Sequence, residues 1–323
     1  MKRRQEHSWL MPNFLWKAVS SRYNPLLAQL VITRRCNLSC GYCNEYDDYS
    51  PPVSLDLLQK RVLALARLST AAVTCTGGEP LLHPQLDKVI SIIREQRMIA
   101  TVITNGFRLN RERVEQLNDC GLQEMQISID NLEPDDVSMK SLKSVDGKLS
   151  ILARYARFKV NINSVLGVSE ERTQDALLVA KRAKQLGFYH SVGVLHDETG
   201  TLKPLSEKQL EVYNQINKQS GSLTHKLNYR LFQNNLIHGK SNDWKCRAGA
   251  RYLYVCEEGN VHWCSQKRGY PNIPLVDYTR EDISREFHTR KGCAPNCALS
   301  CVHQMSAFDE WRRRQTLPDP QQG

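Results

Sequence analysis

From residue 26 to about residue 220 the chain alternates short apolar runs with amphipathic segments. The runs at 27–33, 71–76, 100–104, 125–130, 159–166 and 191–196 are short and mostly apolar, as buried parallel strands are. Segments with helical spacing follow them at 54–68, 85–97, 110–119, 139–156, 170–186 and 206–219. Ser54, Ser169 and Ser206 stand where helix N-caps belong, and Gly121 and Gly187 where helices stop. Strand–helix units in series predict a parallel sheet with helices outside. Six units are two short of a closed (β/α)8 barrel, and a doubly wound open sheet has the same string. In either fold the reactive site lies at the carboxyl ends of the strands.

The pattern changes at both ends. Residues 221–245 read as a weakly patterned connector, 246–310 as a small cysteine-rich unit and 311–323 as a tail. Arg251–Val255 and Asn260–Trp263 flank Glu257–Gly259 as the two arms of a hairpin. Residues 1–25 mix Trp9, Leu10, Met11, Phe14, Leu15 and Trp16 with Lys2, Arg3, Arg4 and Lys17. Packing against the bottom or open edge of residues 26–220 is the first expectation for this segment. Peripheral contact with an anionic membrane surface is the second.

Composition narrows the setting. A chain of 323 residues can hold a large α/β domain and a smaller one. No apolar stretch approaches the ~18 residues of a membrane span, and Pro12, Asn13 and Lys17 interrupt any secretory pattern. Eleven cysteines, an odd count, point to a reducing cytoplasm. Nine of them fall at 36–43 and 246–301, and clustered cytoplasmic cysteines favour metal over disulfides. A net charge of +10 suits an anionic partner, or equally a dispersed, solvated basic surface.

The densest chemistry is Cys36, Cys40 and Cys43, spaced C-x3-C-x2-C just past the first strand. Structural zinc takes four closed ligands, and here three thiols stand without a nearby histidine. Three thiolates on a [4Fe–4S] cluster leave one iron open. The motif, with Tyr42 before its third cysteine, resembles that of the radical SAM enzymes. The resemblance implies a partial (β/α)6, TIM-like barrel and S-adenosylmethionine on the open iron. It further implies reductive cleavage to a 5′-deoxyadenosyl radical, which abstracts hydrogen from a substrate. Gly77-Gly78-Glu79-Pro80, ending the second strand, matches the family's GGEP motif. Adjacent glycines allow a close backbone approach to a ligand, and Glu79 offers an acceptor to the methionine ammonium. Asn105, Ser128, Asp130, Asn163 and Ser164, at later strand ends, fall where relatives contact the cofactor.

Cys246, Cys264, Cys293, Cys297 and Cys301 resemble the SPASM or twitch extension of that family, which holds auxiliary [4Fe–4S] clusters. The expected ligands of one such cluster are Cys246, Cys264, Cys297 and Cys301, with Cys293 next in line. Zinc would suit four thiolates as well. Cys75, Cys120 and Cys256 read as core residues, His83 as a loop residue, and Glu45, Asp47 and Asp48 as a solvated loop. His196 and Asp197 are candidates for substrate contact. The resemblance implies a reductant such as flavodoxin or ferredoxin and a substrate that is a small molecule, lipid precursor or peptide. The alternative is a zinc-binding protein that interacts with nucleic acid; GGEP in register argues against a nucleic-acid partner.

Overall fold

The computed structural model describes residues 12–43, 45–166, 170–194, 204–219, 223–312 and 314–321. His196 and Asp197, the expected cap Ser169 and residues 1–11 lie outside the described residues. Six strands alternate with helices as the pattern predicts. They are β1 (Leu27–Thr33), β2 (Ala72–Gly77), β3 (Ile99–Thr104), β4 (Glu124–Ser128), β5 (Lys159–Leu166) and β6 (Tyr189–Val194). A first helix, α1 (Pro12–Ser20), precedes them. Between and after the strands come α2 (Leu55–Arg67), α3 (Leu86–Glu95), α4 (Arg111–Asp119), α5 (Leu142–Tyr155), α6 (Thr173–Gln185) and α7 (Glu207–Gln219). Ser54 caps α2 by accepting from Leu57 N at 3.5 Å.

The strands lie in the order β6-β5-β4-β3-β2-β1, all parallel, with no reversal of the kind a doubly wound sheet requires. This is a partial, open barrel. Burial explains the two kinds of strand. In β1, Ala28, Leu30 and Ile32 pack against the helices, while Leu27 and Val31 face a second core built with the C-terminal region. β5 alternates instead: Val160, Ile162 and Leu166 are buried, and Lys159, Asn161 and Asn163 face a polar barrel interior.

The cysteine-rich region does not hang beside the barrel but extends its sheet. β7 (Tyr252–Val255) pairs in parallel with β1, Leu27 opposite Tyr252, and is followed by the antiparallel strands β8 (Asn260–Cys264) and β9 (Lys267–Pro274). The connector read at 221–245 is largely helical over its described residues. It carries α8 (Leu223–Asn228), a π turn over Tyr229–Gln233 and α9 (Asn234–Ile237). Two more helices, α10 (Arg280–His288) and α11 (Ser300–Ala307), complete the region.

α1 packs against the bottom of the barrel, one of the two places the sequence suggested, where Lys17 Nζ donates to Thr70 O at 2.8 Å just before β2, and against the C-terminal region as well. Phe14 meets Phe308 edge-on at 5.8 Å. The Arg251 guanidinium donates to the carbonyls of Ser21 (2.7 Å), Asn24 (2.8 Å) and Ala18, and pairs with Asp309. Both members of that pair are fully buried. Among the described residues no helix is long and apolar enough to cross a membrane.

Two glycines decide how the segment after β1 leaves the sheet. Gly78 N donates to Thr33 O at 2.9 Å and Glu79 N to Arg35 O at 2.7 Å. A Cβ on Gly77 would lie 2.1 Å from Thr33 O, and one on Gly78 2.2 Å from Arg34 O. Gly77 also has φ +123°, a backbone that side chains resist. The sequence reading reserved this space for a ligand; the chain's own backbone fills it. Gly78→Ala is expected to destabilise the fold by about 1–3 kcal/mol, since backbone must move. Gly147→Ala, within α5 and with nothing within 4 Å of the new methyl, is expected to stabilise by up to about 1 kcal/mol. Urea midpoints of the two variants, shifted in opposite directions, check the pair.

Candidate functional site

The segment pinned over the glycines carries the three thiols. Its base is closed by Cys36 N donating to Asp47 O (3.2 Å) and Asp47 N donating to Arg34 O (2.9 Å). Asp47, 9% exposed, also pairs with Arg34 at 3.3 Å and accepts from Ser50 Oγ at 2.6 Å. Glu45 accepts from Tyr254 of β7. Glu45 and Asp47 are therefore structural ties, not the solvated residues their charge suggested. Inside the loop Gly41 N donates to Val137 O at 3.0 Å and Cys43 N to Cys40 O at 3.1 Å. Cys40 is buried, and Cys36 and Cys43 are half-buried. Burial pushes the Cys36 and Cys43 thiols up, and each feels a neighbouring cysteine as well.

Glu79 does not offer a free acceptor. It is 0% exposed; Oε1 accepts from Leu81 N (2.9 Å) and Thr104 Oγ1 (2.6 Å), and Oε2 from Asn105 N (2.7 Å). What it holds is Asn105, whose Nδ2 donates to Asn37 Oδ1 at 3.0 Å and reaches Cys36 Sγ at 3.7 Å. Pro80 opens the short turn Pro80–Leu82 that Glu79 caps.

A polar set from the β4–α5 loop closes the other side. Tyr42 Oη donates to Asp130 Oδ2, and so does Ser138 Oγ, at 2.6 Å. Ser138 Oγ lies 3.9 Å from Cys40 Sγ. Lys140 Nζ donates to Tyr42 Oη at 2.8 Å. Asp130 is 2% exposed and its Oδ1 has no hydrogen-bond partner. Sequence reasoning found Tyr42 and Asp130 but missed Ser138 and Lys140. They sit in an irregular loop with no periodic pattern and no motif to point to them.

The barrel interior opens into a cavity of about 400 Å3. Ser128 shares its inward face with Gln126 and pairs with Asn163 on the next strand. Asn163 Oδ1 accepts from Ser191 Oγ, which accepts from Asn161 Nδ2, both at 2.9 Å. Ser164 is corrected by the alternation of β5. It is 1% exposed on the helix-facing side with Ile162, away from Asn163 and the cavity. Residues 298–301, with Gln304 and Met305, wall the cavity's open side, so the C-terminal region covers the gap left by the incomplete barrel.

The later cysteines sort differently from the sequence expectation. Burial raises the thiols of Cys246, Cys264, Cys293 and Cys297, to about 11 for Cys246; Cys293 also raises Cys246, Cys246 and Cys293 raise Cys264, and all three raise Cys297. Cys301 is not among them; the Tyr252 hydroxyl is its neighbour, and it lines the cavity. Cys293, next in line on the sequence, stands with the other three in this respect, and Cys301 apart from them. Lys291, 3% exposed, brings a cation to the quartet and lies over the Trp263 ring at 5.2 Å. Cys256 is buried in the core, as expected, and so is Cys75; Cys120 is half-buried against it. Among the described residues no three His, Cys, Asp or Glu side chains converge on a point that would hold one metal ion.

Similarity to known proteins agrees with this layout. A model of the radical SAM superfamily matches residues 30–199. The GTP 3',8-cyclase of Aquifex aeolicus is 30% identical over 190 residues, covering 52% of this chain and 58% of its own. That of Aeromonas hydrophila is 34% identical over 178 residues, covering 49% and 51%. The chain thus spans about half the length of the curated relatives it matches. Among solved structures, Streptococcus suis SuiB bound to precursor peptide SuiA has a TM-score of 0.60 at 17% identity, covering 87% of this chain and 71% of that one. Native anSMEcpe with bound AdoMet and Cp18Cys peptide has a TM-score of 0.56 at 16% identity, covering 89% and 96%. At such identities these two speak for the fold alone. With a family model matching more than half its length and cysteines at the carboxyl end of an open parallel barrel, the chain belongs to the radical SAM superfamily.

Proposed function

We propose that Cys36, Cys40 and Cys43 hold a [4Fe–4S] cluster on which S-adenosylmethionine is reductively cleaved. The observation that carries this reading is the pairing of three thiols on one pinned loop with the buried, unpartnered Asp130 Oδ1 beside them. A buried acceptor left unpaired costs about 1–3 kcal/mol, and a hydroxyl or ammonium of a bound cofactor would remove that cost. When bound, the cluster supplies the electron that breaks the cofactor's sulfonium bond to give a 5′-deoxyadenosyl radical. Gly77, Gly78 and Pro80 fix the loop's path and present its backbone to the methionine part. Glu79 acts through Asn105, holding that amide against Cys36. Tyr42 and Ser138 orient Asp130, and Asn163, paired in register with Ser128, lines the cavity.

The second part of the reading is an auxiliary [4Fe–4S] cluster on Cys246, Cys264, Cys293 and Cys297. The residues fit it: two buried thiols, Cys246 and Cys264, and two half-buried ones, Cys293 and Cys297, with the Lys291 ammonium favouring the thiolates of Cys246 and Cys293 although burial works against its own charge. The substrate would then occupy the polar cavity of the barrel interior. Lys159, the one cation lining it among the described residues, is paired with Glu124 at 3.3 Å. A triphosphate would find no uncommitted cation there, whereas Gln29, Gln126, Asn161, Asn163 and Gln304 offer amides to a neutral polar group such as a peptide bond. This favours a peptide or similar uncharged substrate over the nucleotide named for the cyclases.

Anaerobic purification with iron and sulfide counting tests both parts. Two clusters predict about eight irons per chain. Dithionite and S-adenosylmethionine are expected to release 5′-deoxyadenosine, and Cys40→Ala to abolish that release. Stoichiometric zinc without cofactor cleavage would contradict the reading. The ligand assignment makes its own prediction: Cys293→Ala is expected to halve the iron content and Cys301→Ala to leave it unchanged. The opposite pattern would restore Cys301 as the ligand.

A further inference from the structure

Lys140 has no part in the motifs that mark this site, yet it stands at the centre of it. The β4–α5 loop folds back on itself, with Asp130 N donating to Lys140 O at 2.9 Å and Leu142 N to Asn131 O at 2.9 Å. That closure carries the Lys140 side chain over the cysteine loop, where its ammonium lies 5.0 Å from the centre of the Tyr42 ring. Tyr42, to which it donates at 2.8 Å, stands between Cys40 and Cys43. The Lys140 backbone N–H donates to Ser138 Oγ at 3.2 Å, and that hydroxyl lies 3.9 Å from Cys40 Sγ. Burial works against that charge, but Tyr42 and Asp130 outweigh it, so Lys140 stays protonated.

Arg34 and Arg35 precede Cys36, and Arg34 is engaged with Asp47 and Glu257; the remaining ionisable neighbours are acidic. Glu79 is fully buried, Asp130 nearly so, and Glu45 follows Cys43 closely. Each would oppose adding negative charge at the three thiols. Placing three thiolates and then a further electron in such surroundings is unfavourable without a fixed cation, because the low local dielectric leaves little screening.

We propose that Lys140 is a positioning residue of electrostatic kind: its fixed positive charge holds the reduction potential of the Cys36–Cys40–Cys43 cluster high enough for a physiological reductant. The inference rests on the cluster assignment above. It concerns charge rather than contact with substrate, so it is separable from activity.

The test is an EPR-monitored redox titration of the loaded protein without S-adenosylmethionine. It compares wild type, Lys140→Met, Lys140→Arg and, as a remote control, Lys143→Met, whose side chain is exposed and paired with Glu133. Cys264→Ala and Cys297→Ala are introduced in every sample so that the catalytic cluster alone is titrated. At a fixed potential, Lys140→Met is expected to lower the ratio of reduced to oxidised cluster about tenfold, a 59 mV downward shift for one electron. Lys140→Arg and Lys143→Met are expected to titrate as wild type. If Lys140→Met loses iron while Lys140→Arg retains it, the charge is needed even to keep the cluster, which supports the proposal. Loss from both would assign the residue a role in shape and overturn it. A loaded Lys140→Met protein with the wild-type potential would overturn it too. Absence of iron from the wild type would instead overturn the cluster assignment itself.

Discussion

No side chain can be placed at Gly77 or Gly78, because the carbonyls of Thr33, Arg34 and Arg35 already occupy the space a Cβ would need. That steric fact governs the rest of the molecule's chemistry. Two backbone hydrogen bonds across the glycines hold the exit of β1 against the end of β2. Cys36 follows at once, so the cysteine loop begins at a fixed point and in a fixed direction. Glu79 carries the same constraint forward to Asn105 and the end of β3. The GGEP run is thus a device for placing the cysteine loop.

The second consequence is that both cysteine sets hang on one sheet. β7 lies beside β1 as its parallel neighbour, with Tyr252 and Tyr254 on it. Tyr254 ties Glu45, near Cys43, and Glu257 after β7 reaches Arg34 at 3.4 Å. On the same strand Tyr252 meets Gln29 at 2.6 Å and neighbours Cys301 at the cavity wall. A shift of the C-terminal region is therefore felt at the cysteine loop through fixed polar links rather than through a flexible linker.

The strand–helix series was legible because each strand is a short apolar run and each helix has a clear amphipathic period. The thiol triplet was legible because three cysteines at that spacing have few other uses. What escaped the sequence has physical causes. The helical stretch over 223–237 hid because some of its buried positions are amides: Asn228 and Gln233 are 2% and 4% exposed and both donate to Ser300 Oγ. Evenly spaced Cys293, Cys297 and Cys301 could not be ranked by spacing. A turn at Ala294–Asn296 brings the first two together, while the third goes into α11. Asn163 and Ser164 looked equivalent until the two-residue period of β5 sent them to opposite faces. Lys140 depends on a loop closure that no local pattern announces.

The central claim is that one iron at the Cys36–Cys40–Cys43 site is open to S-adenosylmethionine. The most direct measurement is the EPR spectrum of the reduced protein carrying Cys264→Ala and Cys297→Ala, recorded before and after adding S-adenosylmethionine. The account predicts a [4Fe–4S] signal whose g values move when the cofactor is added, because the ligand field of an iron has changed. A cluster signal indifferent to the cofactor, or no cluster signal at all, would contradict it.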